Sequence, residues 1–361
     1  MSSAASRADD SSHAAIFAGD SRASEDGDAV TLSTSSPAPA IAPARTPAWA
    51  YILLLVSILA MSSGGIWFAL LDEATPPLLK AAWRLLLTAV LQAPGFAVQS
   101  RSVDAVFWDR LRGETFEVCL IGLSLGAHFG AWGYSVAHTS LTHSLVLVWS
   151  TPLVLVALLF ARSFIGRGPA PTRREILGAL VGFGGVAVML AAAGSVAAGE
   201  SKGAGQAVTL AGDVAALFGG SVIIYYLEGG ARLRQWVPVF IFAFPVNIVA
   251  SAVLFVTSVL FEGASVVGTG ASSVFGFWGD GRRFGIVLCA AAVSGVLGHT
   301  AMNASVKHLS PLILSVAALW EPVLGSLLGY ALNLNGAPSA LTALAAVALL
   351  AGGLLVSWPK K

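Results

Sequence analysis

Ten apolar segments, each near the length that crosses a bilayer, follow one another along this chain of 361 residues and dominate what it can fold into. A helical span needs about 20 mostly apolar residues. The segments are Trp49–Leu71, Pro77–Val98, Glu117–Ala137, Thr142–Ala161, Glu175–Ala193, Ala207–Glu228, Trp236–Phe261, Phe284–Val306, Pro311–Leu332 and Pro338–Trp358. Charged residues make up only 11% of the chain, and the mean hydropathy is +0.79. A soluble domain carries roughly 25% charged residues to solvate its exterior. The expectation is an all-α membrane protein with ten transmembrane helices, whose first partner is the lipid bilayer.

Residues 1–48 have a different composition. They are rich in Ser, Ala, Pro and Asp, with six acids and three arginines. No apolar run of signal-peptide length occurs there, and the acids argue against a transit peptide. This stretch reads as a disordered cytosolic tail. Cys119 and Cys289 both fall inside apolar runs, which speaks against a disulfide scaffold or a cysteine zinc site. The net charge of +1, with no basic stripe, gives no reason to expect nucleic acid as a partner.

The connectors orient the bundle. With the N-terminus inside, inner connectors hold Arg45, Arg101, Arg110, Arg112, Arg162, Arg167, Arg173, Arg174, Arg232, Arg234, Lys307, Lys360 and Lys361, thirteen in all. Outer positions hold four, Lys80, Lys202, Arg282 and Arg283. Cytosolic loops collect Lys and Arg, so both termini are expected in the cytosol. The membrane itself is expected to be the plasma membrane or an endomembrane. The connector Arg101–Glu114 puts Val103, Val106, Phe107 and Leu111 on one helical face. It reads either as an interfacial helix or as an amphipathic linker lying on the protein.

A shift of 170 positions aligns the chain with itself. Cys119, Ser124, Ala131, Ser135, Val136, His138, Ser140, Val146, Pro152, Leu158 and Ala161 fall on Cys289, Ser294, Ala301, Ser305, Val306, His308, Ser310, Val316, Pro322, Leu328 and Ala331. Those are eleven identities over 43 positions without a gap. Further on, at an offset of 168, Gly184-Gly185 falls on Gly352-Gly353. The repeat joins spans three to five with spans eight to ten. Its unit of five spans is odd, so the second copy enters the membrane upside down. The expected halves are residues 49–193 and 207–358, two inverted five-helix repeats. Inverted repeats are a transporter architecture, with the substrate site near the midplane between the halves.

These features resemble the drug/metabolite transporter superfamily. The stretch Gly122–Leu159 looks like the third and fourth spans of EamA-type members. Gly212-Asp213 is similar to the start of the family's second domain, and Leu319-Trp320-Glu321-Pro322-Val323 resembles its penultimate-helix Glu-Pro motif. Trp83-Arg84 resembles the arginine of its second span. The resemblance covers residues 49–358. Leu332-Asn333-Leu334-Asn335-Gly336 lacks the acid that often follows the family's ninth span. Phosphate-handling branches are expected to place Lys or Arg in the later spans. Here only Lys307 is present, so phosphorylated solutes are disfavoured.

Each candidate residue has a functional and a structural reading. Glu321 lies mid-span, where an acid costs about 2.5–3.5 kcal/mol. It is either a protonatable or cation-binding group or a hydrogen-bonding anchor beside Pro322. Pro152 and Pro322 are expected hinge or kink positions. Arg84 either meets an anion, pairs with Glu321, or snorkels to the outer interface near Lys80. His299 with Asn303, and His128 with Trp132, are four residues apart and share helix faces. Both pairs are expected at one cavity, or else the histidines serve packing. Trp320, Tyr225, Tyr226 and Trp67 either stack on a solute or anchor the interface, the role expected of Trp236 and Trp358. Gly126 with Gly130, Gly178 with Gly182 and Gly325 with Gly329 read as packing positions. Asp213 and Glu228 read as interface solvation. No catalytic or phosphate-loop motif occurs, so the chain is not expected to be an enzyme, and no cofactor or metal is expected.

The expected function is a secondary transporter of a small organic metabolite or drug-like solute, proton-coupled through Glu321. The alternative is a non-transporting scaffold or receptor-like protein of the same fold, with an intramembrane enzyme a third reading. The oligomeric state stays open, a homodimer included.

Overall fold

A computed structural model describes residues 47–166, 170–196, 208–305, 308, 309, 313, 317–334 and 336–358, with side chains from 192 to 196 left aside. The acidic tail, Arg45, Arg167, Lys202, Val306, Lys307, Ser310, Val316, Lys360 and Lys361 lie outside the described residues. The regular structure among the described residues is helical, with a single isolated bridge between Ser265 and Ser273.

The elements are α1 (Ala48–Ser62), α2 (Gly64–Leu70), α3 (Pro77–Ser100), α4 (Ala105–Gly113), α5 (Thr115–His138), α6 (Leu141–Val148), α7 (Thr151–Phe164), α8 (Arg173–Val196), α9 (Leu210–Leu233), α10 (Val239–Phe261) and α11 (Gly281–Ala290). A π-helix (Ala291–Thr300) follows, then α12 (Ala301–Ser305), α13 (Trp320–Ala331) and α14 (Ala340–Ser357). Among the described residues nine helical stretches are long and apolar enough to cross a membrane. In that set α1 and α2 count as one span, as do α6 with α7 and α11 with the π-helix and α12.

The breaks have local causes. Pro152 has no amide hydrogen and its ring crowds the carbonyl four residues earlier, and the helix is interrupted at Trp149-Ser150. At the repeat-related position Leu319 precedes α13, again three residues before a proline, Pro322. Both expected kink prolines therefore sit beside breaks. Between α1 and α2, Ser63 Oγ donates to Ala60 O at 2.7 Å and accepts from Trp67 Nε1 at 2.9 Å. Asp104 caps α4 by accepting from Phe107 N at 2.8 Å. Val103, Phe107 and Leu111 pack on the main core, whereas Val106 is 75% exposed. The connector thus lies on the protein, with Val106 off the packed face.

Helix ends meet in two sets. At one end Trp49 meets His308 at 4.6 Å, Phe240 N donates to Gln99 Oε1, and Arg232 pairs with Glu117 at 2.9 Å. At the other end Arg283 pairs with Asp72 at 2.9 Å, Leu78 N donates to Glu262 Oε1, and Thr209 donates to the carbonyl of His138. The loop between α10 and α11 folds onto this second end. There Trp83 Nε1 donates to Val274 O at 2.7 Å and Phe277 is fully buried.

Glycine sets the closest approach. On α14, a Cβ at Gly352 would lie 2.5 Å from Gly178 O and 2.6 Å from Gly182 Cα of α8, so the two backbones touch. Small residues permit such contact, and in lipid packing of this kind is a principal force between helices.

Candidate functional site

Arg84 is the eighth residue of α3, and its neighbours decide where its charge can go. Its guanidinium is 1% exposed. Nη2 donates to Ser294 Oγ at 2.6 Å, and Ser294 belongs to the π-helix, midway along its span. The guanidinium carbon stands 4.3 Å from the Phe129 ring centroid and 5.9 Å from that of Trp132, both on α5. Guanidinium stacking on an aromatic face is attractive, more so away from water. Nε and Nη1 have no hydrogen-bond acceptor among the described residues. This placement corrects the snorkelling alternative: Arg84 is held at mid-span.

Glu321, in the first turn of α13, is 9% exposed, and its Oε2 has no partner among the described residues. Arg84 is the charged neighbour that acts on it, yet the two form no ion pair.

A cavity of about 20 Å³ adjoins Arg84, enough for one water. Phe129, His299, Thr300, Asn303, Gln92 and Tyr226 line it. Around its far side the polar groups satisfy one another. Gln92 Nε2 donates to Thr300 Oγ1 at 2.9 Å, and Gln92 Oε1 accepts from Asn247 Nδ2 at 3.2 Å. Asn303 Nδ2 donates to Tyr226 Oη at 2.8 Å. Thr300 Oγ1 also donates to Gly295 O at 3.1 Å, within the π-helix Ala291–Thr300. π-Helical turns are rare and concentrate at functional sites.

The structure brings Arg84, His299, Asn303 and the ring of Trp132 to this region. His128 lies beside it, with Nδ1 2.9 Å from Gly219 O and its ring 4.9 Å from that of Phe129. Trp320 and Tyr225 are turned away. They are 57% and 41% exposed, and the Tyr225 hydroxyl donates to Glu117 Oε2 at 2.8 Å near the helix ends. Tyr226, its neighbour, is the cavity residue. Met302 packs against the buried cluster of Ala50, Leu54, Ile58, Leu309 and Ala318.

One prediction fails outright. Asp213 is not solvating an interface: it is fully buried. Its Oδ2 lies 2.9 Å from His143 Nδ1, and its Oδ1 accepts from Thr139 Oγ1 at 2.6 Å. His143 Nε2 lies 3.3 Å from Thr342 Oγ1. The network ties the starts of α6, α9 and α14. Its only sequence signal is three polar residues, each within a turn of a span's start. Phe129, Ser294 and Gln92 were likewise missed as site residues, because nothing in their own segments marks them.

No protein-family model matches the chain, and no curated protein matches it. Among solved structures, a crystal structure described only as that of a protein superposes on 85% of this chain and 96% of its own. The TM-score is 0.53 and the sequence identity 20%. Likeness at that identity shows a shared fold and carries nothing about activity.

Proposed function

We propose that this chain is a secondary transporter of a small organic solute, working by alternating access between two inverted five-helix halves. The observation that carries the reading is the mid-span cluster to which both halves contribute. Arg84, Phe129 and Trp132 come from residues 49–193, and Ser294, His299 and Glu321 from residues 207–358. Ionisable side chains in a span are costly, and they persist where they serve a solute or ion path.

Ten crossings follow if the chain between Leu309 and Ser339 spans once. His308 stands beside Trp49 at one end, and Thr342 stands beside His143 at the other, which supports that crossing. Membership in the EamA-type drug/metabolite transporters rests on the residues that resemble that family, and cytosolic termini rest on the basic connectors. Energy is supplied by a proton gradient through Glu321. An acid without an ion-pair partner at mid-span is suited to alternate between a protonated and an ionised form.

The test is uptake by purified protein in liposomes, with an imposed pH gradient and a broad panel of metabolites and drug-like amphipaths. Accumulation of any member that collapses with the gradient is the expected result. A panel in which nothing moves sinks the transport reading and favours the scaffold alternative. Uptake indifferent to the gradient removes the proton coupling alone.

A further inference from the structure

We propose that Arg84 receives the carboxylate of the solute, which is therefore a small organic monoanion with an apolar or aromatic body. This rests on the transport reading above.

The argument begins with donors. A guanidinium offers five N–H groups in a planar fork and cannot be neutralised in a protein. Ser294 accepts from Nη2, and the rings of Phe129 and Trp132 approach the guanidinium within cation–π range. Nε and Nη1 remain open, on a side chain that is 1% exposed and borders the cavity, and the second N–H of Nη2 completes a parallel donor pair with one of them. The group that meets such a fork is planar, anionic and bidentate, and a carboxylate is all three. Gln92, Thr300, Asn247, Asn303 and Tyr226 hydrogen-bond in pairs across the cavity, and His299, edge-on to Phe129, offers no planar fork of donors.

Charge then limits the solute to one negative group. Lys80 donates to Leu71 O, toward the helix end. Arg234 directs Nη1 to Val237 O and Nη2 to Asn303 O. Arg234 keeps Nε unpartnered among the described residues, but neither it nor Lys80 lines the cavity, so the second cation that a phosphate dianion would require is not at hand there. Leu85, Leu125, Ala243 and Val246 line the remaining wall, which suits a hydrocarbon or aromatic body. Such a body needs more room than the about 20 Å³ present, so it enters only when the halves part.

The proton step of the transport reading sets the coupling. An ionised Glu321 and a bound carboxylate would place two negative charges near the single charge of Arg84. The titratable groups near them are His128 on α5, Tyr226 on α9 and His299 on the π-helix. A proton from the medium must occupy Glu321 when the anion is bound, and both leave together on the far side. One proton therefore accompanies each monoanion, and net charge movement is zero.

The experiment uses the full chain in detergent and two sets of shape-matched probes. They are benzoate, benzamide and benzylammonium, and octanoate, octanamide and octylammonium. Thermal stabilisation by at least one carboxylate should appear at a concentration about tenfold or more below that of its amide, and the ammonium should give none. Arg84→Lys keeps the charge and loses the fork, and should weaken the carboxylate effect by about tenfold or more. Equal shifts across each triplet overturn the proposal, and so does an Arg84→Lys protein that responds as the unmodified one does. If Arg84→Lys fails to fold, the triplets on unmodified protein decide alone. In liposomes, uptake of neutral or cationic solutes with exclusion of acids overturns this inference and leaves the transporter intact. Movement of no solute overturns the transport reading itself.

Discussion

Ser124 and Ser294 occupy matching positions of the sequence repeat, yet they do different work. Ser124 is closed by backbone: its hydroxyl donates to Val222 O at 2.6 Å and accepts from Tyr226 N at 3.2 Å. Ser294 receives the charged Arg84. The same contrast holds at the proline breaks. Thr151 Oγ1 donates to Gly220 O at 2.7 Å, while its counterpart Glu321 keeps Oε2 unpartnered. It extends to the helices that carry them, since α5 is regular and its counterpart runs through a ten-residue π-helix. In each pair the first-half residue is satisfied by protein backbone, and the second-half residue retains charge or open valence. At these matched positions the earlier residue is closed by backbone and the later one faces the cluster, to which residues 49–193 supply Arg84 itself.

The sharpest way to break this comparison is to treat Thr151 and Glu321 alike. Glu321→Gln is expected to abolish gradient-driven uptake while leaving the melting temperature unchanged or raised, because it removes a buried charge without an ion-pair partner. Thr151→Val deletes a hydrogen bond worth about 0.6 kcal/mol in a membrane setting. It should lower stability slightly and leave coupled uptake intact. Liposome uptake and thermal unfolding on the two variants check this. A Thr151→Val protein as inactive as Glu321→Gln would end the asymmetry.

Matching glycines provide the next contrast, with opposite signs. Gly352 has no room: a Cβ there meets Gly178 O and Gly182 Cα, which are backbone and cannot turn aside. Gly352→Ala is expected to destabilise by about 1–3 kcal/mol. Its repeat counterpart Gly184 has nothing within 4 Å of a Cβ. Gly184→Ala is expected to stabilise by up to about 1 kcal/mol, as alanine does in a helix. Unfolding of both variants in one detergent reads the difference directly.

What could be read from the chain follows from which forces act locally. Spans are announced by their own apolar residues, so the approximate ends of the nine found among the described residues were legible, and so were the breaks at Pro152 and Pro322. Glu321 and Arg84 announced themselves as charges in apolar runs. Their surroundings did not, because those depend on rotation and depth, which one segment cannot report. Tyr225 and Tyr226 show the limit: adjacent residues lie about 100° apart around a helix, and only Tyr226 reached the cavity. The π-helix was illegible for a related reason. It changes which residues share a face, and Ala291–Thr300 carries no residue that requires it. Asp213 was misread because its partners Thr139, His143 and Thr342 lie on other segments.

The rim of the bundle offers the smallest test, and it bears on the same contrast between closed and open polar groups. Asp72 is closed: Thr75 Oγ1 donates to its Oδ1 at 2.8 Å, and Arg283 Nη2 and Nε donate to Oδ2 at 2.9 and 3.1 Å. Partial burial pulls its pKa up, but the bonds from Thr75 and Arg283 and the charge of Arg283 outweigh that, and the carboxyl sits below its ordinary 3.8. A depressed carboxyl contributes its stability above the unfolded value and loses it as the pH falls through the folded one. The tie is 39% exposed at the aspartate, so screening limits it to about 0.2–1 kcal/mol. Acid below that range should loosen this end of the bundle, and Asp72→Asn should remove the extra acid sensitivity from thermal unfolding measured across pH. Uptake near neutral pH should keep its dependence on the gradient in that variant, because Asp72 is already satisfied by protein and Glu321 is not. A variant that lost both together would place the proton step at the rim and not at the centre.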